Sequence, residues 1–262
     1  MKQFSKTTII GLCLGAALSL GMPCTSAVAQ MAEVKEKPRL YTYAASWAIP
    51  RARWADMAKD NATTTKILDR ALANDAIVAY GNTESLVHTA EGPTHGGWWC
   101  AMSMAGIFNT LDDFYTSNAS TSPVLASATK HWDDMYVSRY YAWHAGAVKG
   151  GYIHGAVYKF KADAPNDAID IISKSVIVPL YEKLLAEGAV QAYQIAEQAV
   201  HAADPSLFFV FYLTPRADGL DKVNAALGEA VKANPLIGPA ISSMVDFSAH
   251  RDTLSRGDSL FK

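Results

Sequence analysis

Cysteine is scarce in this chain of 262 residues, and so is any surplus of charge: there are three Cys, and 23 Lys plus Arg face 25 Asp plus Glu. A chain this close to neutral is not built to hold a phosphate backbone, which excludes nucleic acid as a partner class. After the first thirty residues no apolar run is long enough for a helix to cross a hydrocarbon layer of roughly 30 Å, so no membrane partner is expected once that segment is gone. Three catalytic signatures are also missing: a Gly-rich phosphate loop, a G-x-S-x-G elbow and a paired-cysteine metal pattern.

The start of the chain has the composition of a secretory signal. Lys2 and Lys6 precede an apolar run from Ile9 to Leu20, and Ala27, Val28 and Ala29 offer an A-x-A cleavage site. The apolar run is too short to serve as an anchor and is loosened by Gly11, Gly15 and Ser19. Cleavage removes two lysines and no acid, leaving 21 basic against 25 acidic residues in a periplasmic or secreted protein. Cys13 and Cys24 leave with the signal. Cys100 then stands alone, so the mature chain forms no internal disulfide, and a Cys between Trp99 and Ala101 reads as a small buried hydrophobe. With half its residues apolar, the remainder can bury a large core unaided.

What the sequence does contain is a duplication. Ala76, Ala79, Tyr80, Val87, His88 and Ala90 recur as Ala189, Ala192, Tyr193, Val200, His201 and Ala203, at a constant offset of 113. The element order repeats around this match. A strand (Leu40–Ile49, then Tyr152–Lys161) leads into a helix (Arg51–Ala73, then Asp167–Glu187), which Pro179 should kink in the second copy and Gly188 should end. Two strands follow (Ile77–His88 and Gly97–Ser103, then Val190–His201 and Leu207–Thr214). A second helix comes next, capped by Ser103 and carrying Met104, Ile107, Leu111 and Phe114, or capped by Asp218 and carrying Val223, Leu227 and Val231. Each unit closes on an extended or irregular segment, Asp133–His144 or Met244–Leu254.

Strand, helix, hairpin, helix and closing strand is the split β-α-β order of ferredoxin-like units, which leave one sheet face bare. Two such units cover those faces by packing their sheets together. In this order and duplication, over about Leu40–Leu254, the chain resembles the dimeric α+β-barrel superfamily in single-chain form. The resemblance implies an α+β fold: two ferredoxin-like repeats forming a barrel with helices outside. The expected division is residues 1–29 as signal peptide, 38–121 as unit 1, 122–150 as an aromatic closing strand and linker, and 151–256 as unit 2. The superfamily includes antibiotic-biosynthesis-type monooxygenases, muconolactone-isomerase-like enzymes and chlorite-dismutase-like haem proteins, so it narrows shape more than function.

Candidate site residues are those that break the repeat. His95 has no counterpart, and its setting in THGGWW (Thr94–Trp99) places a titratable imidazole beside two glycines and two indoles, as in a ligand-contacting hairpin or simply a turn. His88 and His201 are equivalent, which favours a hairpin hydrogen bond, although His88 also stands near His95 as a second candidate acid or base. His88, Glu91 and His95 spell H-x2-E-x3-H, with His131 or Asp133 as a conceivable fourth ligand. Gly92 and Pro93 interrupt any helix there, so no metal site is assigned. The segment Lys130–Gly146 concentrates aromatic side chains, and His131, Arg139 and Tyr140 join Trp98 and Trp99 as candidate ligand contacts. Arg139 could pair with an anionic substrate, or with Asp133 or Asp134. Tyr41, Tyr43 and Trp47 share one face of the opening strand, with Lys159 and Ser46 assigned to the opposite face.

Three functions fit these residues. The first is an exported barrel that binds a small organic molecule in an aromatic-lined pocket, with cofactor-independent acid–base or monooxygenase-type chemistry centred on His95. The second, implied by resemblance to chlorite dismutases, is a haem protein with His154, His201 or His250 as axial ligand. The third is a non-catalytic interaction or assembly domain, in which the aromatic linker supports a homo-oligomer. The residues themselves identify no cofactor.

Overall fold

Strand β1 (Leu40–Trp47) shows the period of two that organises the sheet. Leu40, Thr42 and Ala44 turn to one side, while Tyr41, Tyr43 and Trp47 pack against helices on the other. The structure is a computed structural model that describes residues 33–201 and 203–262; the signal-peptide reading lies outside them.

After β1, a single 3-10 turn (Arg51–Arg53) enters α1 (Trp54–Ala73). On α1, Met57, Asp60, Ile67, Leu68 and Ala71 are buried at helical spacing, whereas Ala58 is exposed. Strands β2 (Ala79–Ser85) and β3 (His95–Ala101) come next, followed by α2 (Met104–Thr116) and β4 (His131–Trp143). The hydroxyl of Ser103 caps α2 by accepting from Gly106 N at 3.1 Å. Ile107 faces the core and Met104 faces out.

The second copy runs β5 (Gly146–Phe160), α3 (Ala168–Ile172), α4 (Val178–Ala186), β6 (Ala192–Gln198), β7 (Leu207–Thr214), α5 (Asp218–Ala233), α6 (Ile237–Met244) and β8 (Val245–Phe261). The helix expected over Asp167–Glu187 is broken by a π-turn at Ser173–Ile177, just before Pro179. Proline has no N–H to give to the preceding turn, and the wider turn absorbs that gap. Asp218 does not cap α5; it begins the helix and pairs with Arg216 (3.0 Å) and Lys222 (2.9 Å). Leu227 and Val231 are 41% and 49% exposed, and α5 meets the core instead through Leu220, Val223, Ala226 and Ala230. β8 continues well past Leu254, because pairing on both flanks holds even its polar stretch Arg256–Ser259 extended.

All strand pairings are antiparallel, and the sheet closes in the order β1-β3-β2-β8-β5-β7-β6-β4. Each unit contributes its strands as fourth-first-third-second, the ferredoxin-like order. The seams β2–β8 and β4–β6 are equivalent under the repeat, and closure leaves no free edge. The aromatic segment between the units is thus β4, paired to β1 on one side and β6 on the other.

The offset of 113 extends into backbone detail. Ala76 and Ile77 both donate N–H to the carbonyl of Ala71, and Ala189 and Val190 do the same to Leu184. The residue that turns each chain out of its helix is left-handed, Asp75 at φ 59° and Gly188 at φ 68°. Tyr80 donates its hydroxyl to Asp69, and Tyr193 donates to Glu182 at 2.6 Å, each reaching an acid eleven residues earlier. Gly106 and Gly219 press against the carbonyls of Ala76 and Ala189, where an added Cβ would lie 2.2 and 2.5 Å from the oxygen. The recurring tyrosines and alanines in the sequence therefore serve the joint between helix and sheet.

Candidate functional site

Trp98 and Trp99 are neighbours on β3, and a strand sends neighbours to opposite faces. Trp98 lines the barrel bore, while the Trp99 side chain lies among the outer-face residues beneath α1 and α2. The two indole rings therefore sit on opposite faces of the sheet, and Trp98 borders both spaces.

The outer space is a cavity of about 440 Å³ between the sheet and the helices of unit 1. Tyr43, Tyr80 and Trp99 form its sheet wall, with Thr64, Leu68 and Phe114 on the helix side. Tyr43 stacks on Trp99 at 4.6 Å, and Trp99 stacks on Phe114 at 5.3 Å. Comparison of the copies explains the space. α1 carries Thr64, Thr65, Leu68 and Ala71 where the second copy carries Ile177, Val178, Tyr181 and Leu184. There the larger side chains pack with Tyr193 and Tyr212 into a continuous core, with Tyr181 stacked on Tyr193 at 5.4 Å.

Polar groups line the rim of this cavity. Tyr43 donates its hydroxyl to Asp133 Oδ1 at 2.6 Å, and His131 Nε2 lies 3.2 Å from the same oxygen. The His131 ring lies flat against Trp47, with centroids 5.1 Å apart. β1 and β4 are antiparallel neighbours with Tyr43 opposite Met135 and Trp47 opposite His131, and this register brings the three groups together. Burial, reinforced by the bond to Asp133, pushes the Tyr43 hydroxyl far up, so it remains a proton donor. Across the cavity the carboxyl of Asp60 is buried on α1, and burial raises it above the usual range despite a hydrogen bond from Ser122. The arrangement can hold a flat organic molecule, accept a hydrogen bond from it at the Tyr43 oxygen, and accept a proton at its rim.

The other candidates fall into three places. His131 and Trp99 line this cavity, and Trp98, which packs among the bore residues, borders both. His95 is buried at the start of β3, its Nδ1 3.0 Å from Thr94 Oγ1, and borders the bore. Burial lowers its basicity, Glu84 opposes that shift and His88 adds to it. His88 is exposed, and both His rings pack against Trp54, at 5.2 and 5.4 Å. Arg139 and Tyr140 lie outside both spaces. Arg139 pairs with Glu36 at 2.9 Å and Asp170 at 3.1 Å, and Tyr140 donates to Asp170 at 2.9 Å within the unit 2 core. Lys159 pairs with Asp204 at 2.6 Å beside the β6–β7 loop.

Glu91 of the H-x2-E-x3-H stretch pairs with Lys130, and among the described residues no group of three His, Cys, Asp or Glu is placed to hold a metal ion. The histidines offered for haem do not fit it. His154 is stacked on Tyr212 at 4.8 Å and His250 on Tyr158 at 4.5 Å, both beside Asp252, and His201 is exposed in a loop. None of the three borders either cavity. Sequence reading missed the Tyr43–Asp133–His131 chain as a unit. The ferredoxin-like order, which sets the closing strand beside the first, is the signal that could have found it.

No protein-family model and no curated protein matches the chain in sequence. Among solved structures it is similar to two proteins that bear the name "putative monooxygenase". One, from Lactobacillus acidophilus NCFM, has a TM-score of 0.59 and 9% identity, over 84% of this chain and 94% of that one. The other, from Fusobacterium nucleatum subsp. nucleatum ATCC 25586, has a TM-score of 0.62 and 6% identity, over 86% and 95%. A chlorite dismutase from Candidatus Nitrospira defluvii is more distant, at a TM-score of 0.48 and 11% identity, over 85% and 92%. At such identities the likeness speaks for architecture alone, and the architecture is the closed α+β barrel of two ferredoxin-like repeats.

Proposed function

We propose that this is an exported protein that binds a small organic molecule in the sheet–helix cavity of unit 1 and performs cofactor-independent acid–base chemistry of monooxygenase type on it. The observation that carries this reading is the Tyr43–Asp133–His131 chain at the rim of a cavity that the second unit fills. The stacked rings of Tyr43, Trp99 and Phe114 form the apolar wall along which a planar substrate lies. Tyr43, its own O–H held by Asp133, accepts a hydrogen bond from a substrate hydroxyl, and the Asp133–His131 pair takes a proton from an acidified C–H. The carbanion then reacts with dioxygen. A CH2 that loses both hydrogens and gains one oxygen atom as C=O, while the second oxygen atom leaves as water, balances without an external reductant. The two fold neighbours named as monooxygenases agree with this class, and their names are no more than agreement.

The test uses 1-naphthol as a binding probe and dioxygen uptake with a panel of activated-methylene aromatics as turnover. Leu68→Tyr, which fills the cavity, should weaken 1-naphthol at least about tenfold. Asp133→Asn should keep binding and abolish uptake. Wild-type binding and uptake in both variants would overturn the assignment.

A further inference from the structure

We propose that the barrel bore is a second binding site, for an uncharged, flat apolar molecule bearing one hydrogen-bond acceptor. This rests on the bore alone and is independent of the sheet–helix cavity. An eight-stranded barrel is just wide enough to be filled by its own side chains or to hold one small ligand. Here the inward positions include Ala44, Ala79, Gly155 and Ala192, which are too small to meet across the bore, and a space of about 310 Å³ remains. Its other walls are rings: Trp98, Trp143, Tyr136, Phe209, Phe211 and Phe261.

The space has a polarity from end to end. Leu40, Leu213 and Phe261 cluster at one end of the strands. Ser46, Thr83, Ser85 and Ser255 stand at the other, where β1, β2 and β8 come together with the start of β3. A flat molecule would enter past hydroxyls and lodge among rings and aliphatic groups. The Trp98 Nε1 hydrogen is buried on this wall without a partner. An unpaired buried donor is costly, and an acceptor on the ligand would satisfy it.

The walls also set the charge of the occupant. Neither Lys nor Arg lines the bore among the described residues, so an anion would find no counter-charge. The ionisable groups that do face it are held toward their neutral forms: burial raises the Asp134 carboxyl, lowers the basicity of His95 and pushes the Cys100 thiol up to about 12. Thr42 and Gln194 bond to each other across the space, which leaves Trp98 as the donor without a partner.

Naphthalene and 2-acetylnaphthalene are suitable probes, titrated by tryptophan fluorescence and calorimetry against the whole protein. Both should bind, with the ketone about fivefold tighter, a margin corresponding to one hydrogen bond. Trp98→Phe should erase that preference and leave naphthalene binding in place. Ala44→Leu and Ala192→Leu, each checked for native circular dichroism, should weaken both probes at least about tenfold. Leu68→Tyr, which fills the other cavity, should leave them within about twofold of wild type. The proposal falls if neither probe binds, if folded Ala44→Leu or Ala192→Leu binds as wild type does, or if Leu68→Tyr is the variant that weakens binding. A ketone preference that survives Trp98→Phe would overturn the role given to its N–H.

Discussion

The two sheet–helix layers of this barrel share their backbone devices and differ in what fills them. In unit 2, Ile177, Val178 and Tyr181 descend from the helix onto Tyr193 and Tyr212, and the layer is solid. In unit 1, Leu68 packs in the same cluster as Tyr43 and Trp99, but with Thr64 and Thr65 beside it a cavity stands open. Yet the left-handed exit, the doubled hydrogen bond to Ala71 or Leu184, the tyrosine-to-acid bond and the close-packed glycine are present in both. A few truncated side chains on one helix face are thus enough to turn a core into a chamber while the joints stay the same.

The shared joints should be the most sensitive positions in the molecule. Gly106→Ala and Gly219→Ala each force a Cβ into a backbone carbonyl that cannot move aside, so each should cost about 3 kcal/mol or more in urea unfolding. If one unit tolerated the change, the joints would not be equivalent. Exchanging the filling comes next. Tyr181→Leu opens a void in the solid layer and should cost about 2–3 kcal/mol, whereas Leu68→Tyr enters existing space and should cost under about 1 kcal/mol. Equal costs would mean that the unit 1 space is not open to a side chain.

The smallest effect concerns pH. His95 in unit 1 and His154 in unit 2 both have basicity lowered by burial from the ordinary value of 6.5. The unfolded chain therefore takes these protons first. Their contribution is whole above 6.5 and is lost as pH falls from there through the lower folded values. His95→Gln and His154→Gln should each flatten part of that acid slope in unfolding midpoints measured across pH; an unchanged slope in both would show that other groups set it.

Much of this was legible in the sequence. The Tyr80/Tyr193 and Ala76/Ala189 recurrences marked the duplication, and β2 and β6 fall at the offset of 113 over their whole length. The glycines that press on those alanines were not singled out, because a close approach between a helix start and a turn leaves no local pattern. The site was less legible. Alternation alone separates Trp98 from Trp99, but which face meets the helices depends on barrel closure. Asp133 stood in the sequence as a spare metal ligand or an Arg139 partner, and only the β1–β4 register sets it between Tyr43 and His131. Arg139 and Tyr140 looked like ligand contacts because they sit in an aromatic segment. Their partners Glu36 and Asp170 are distant in the chain, and local spacing cannot foresee them.

The equivalent seams carry a consequence for how the molecule comes apart. β2 and β4, the flanks of unit 1, are paired to β8 and β6 of unit 2. A unit 1 severed between His144 and Gly146 would bare both flanks, and each bare flank matches in kind the one its lost partner presented. Such a fragment has every reason to recruit a second copy of itself, rebuilding the barrel as a symmetric pair with two chambers in place of one.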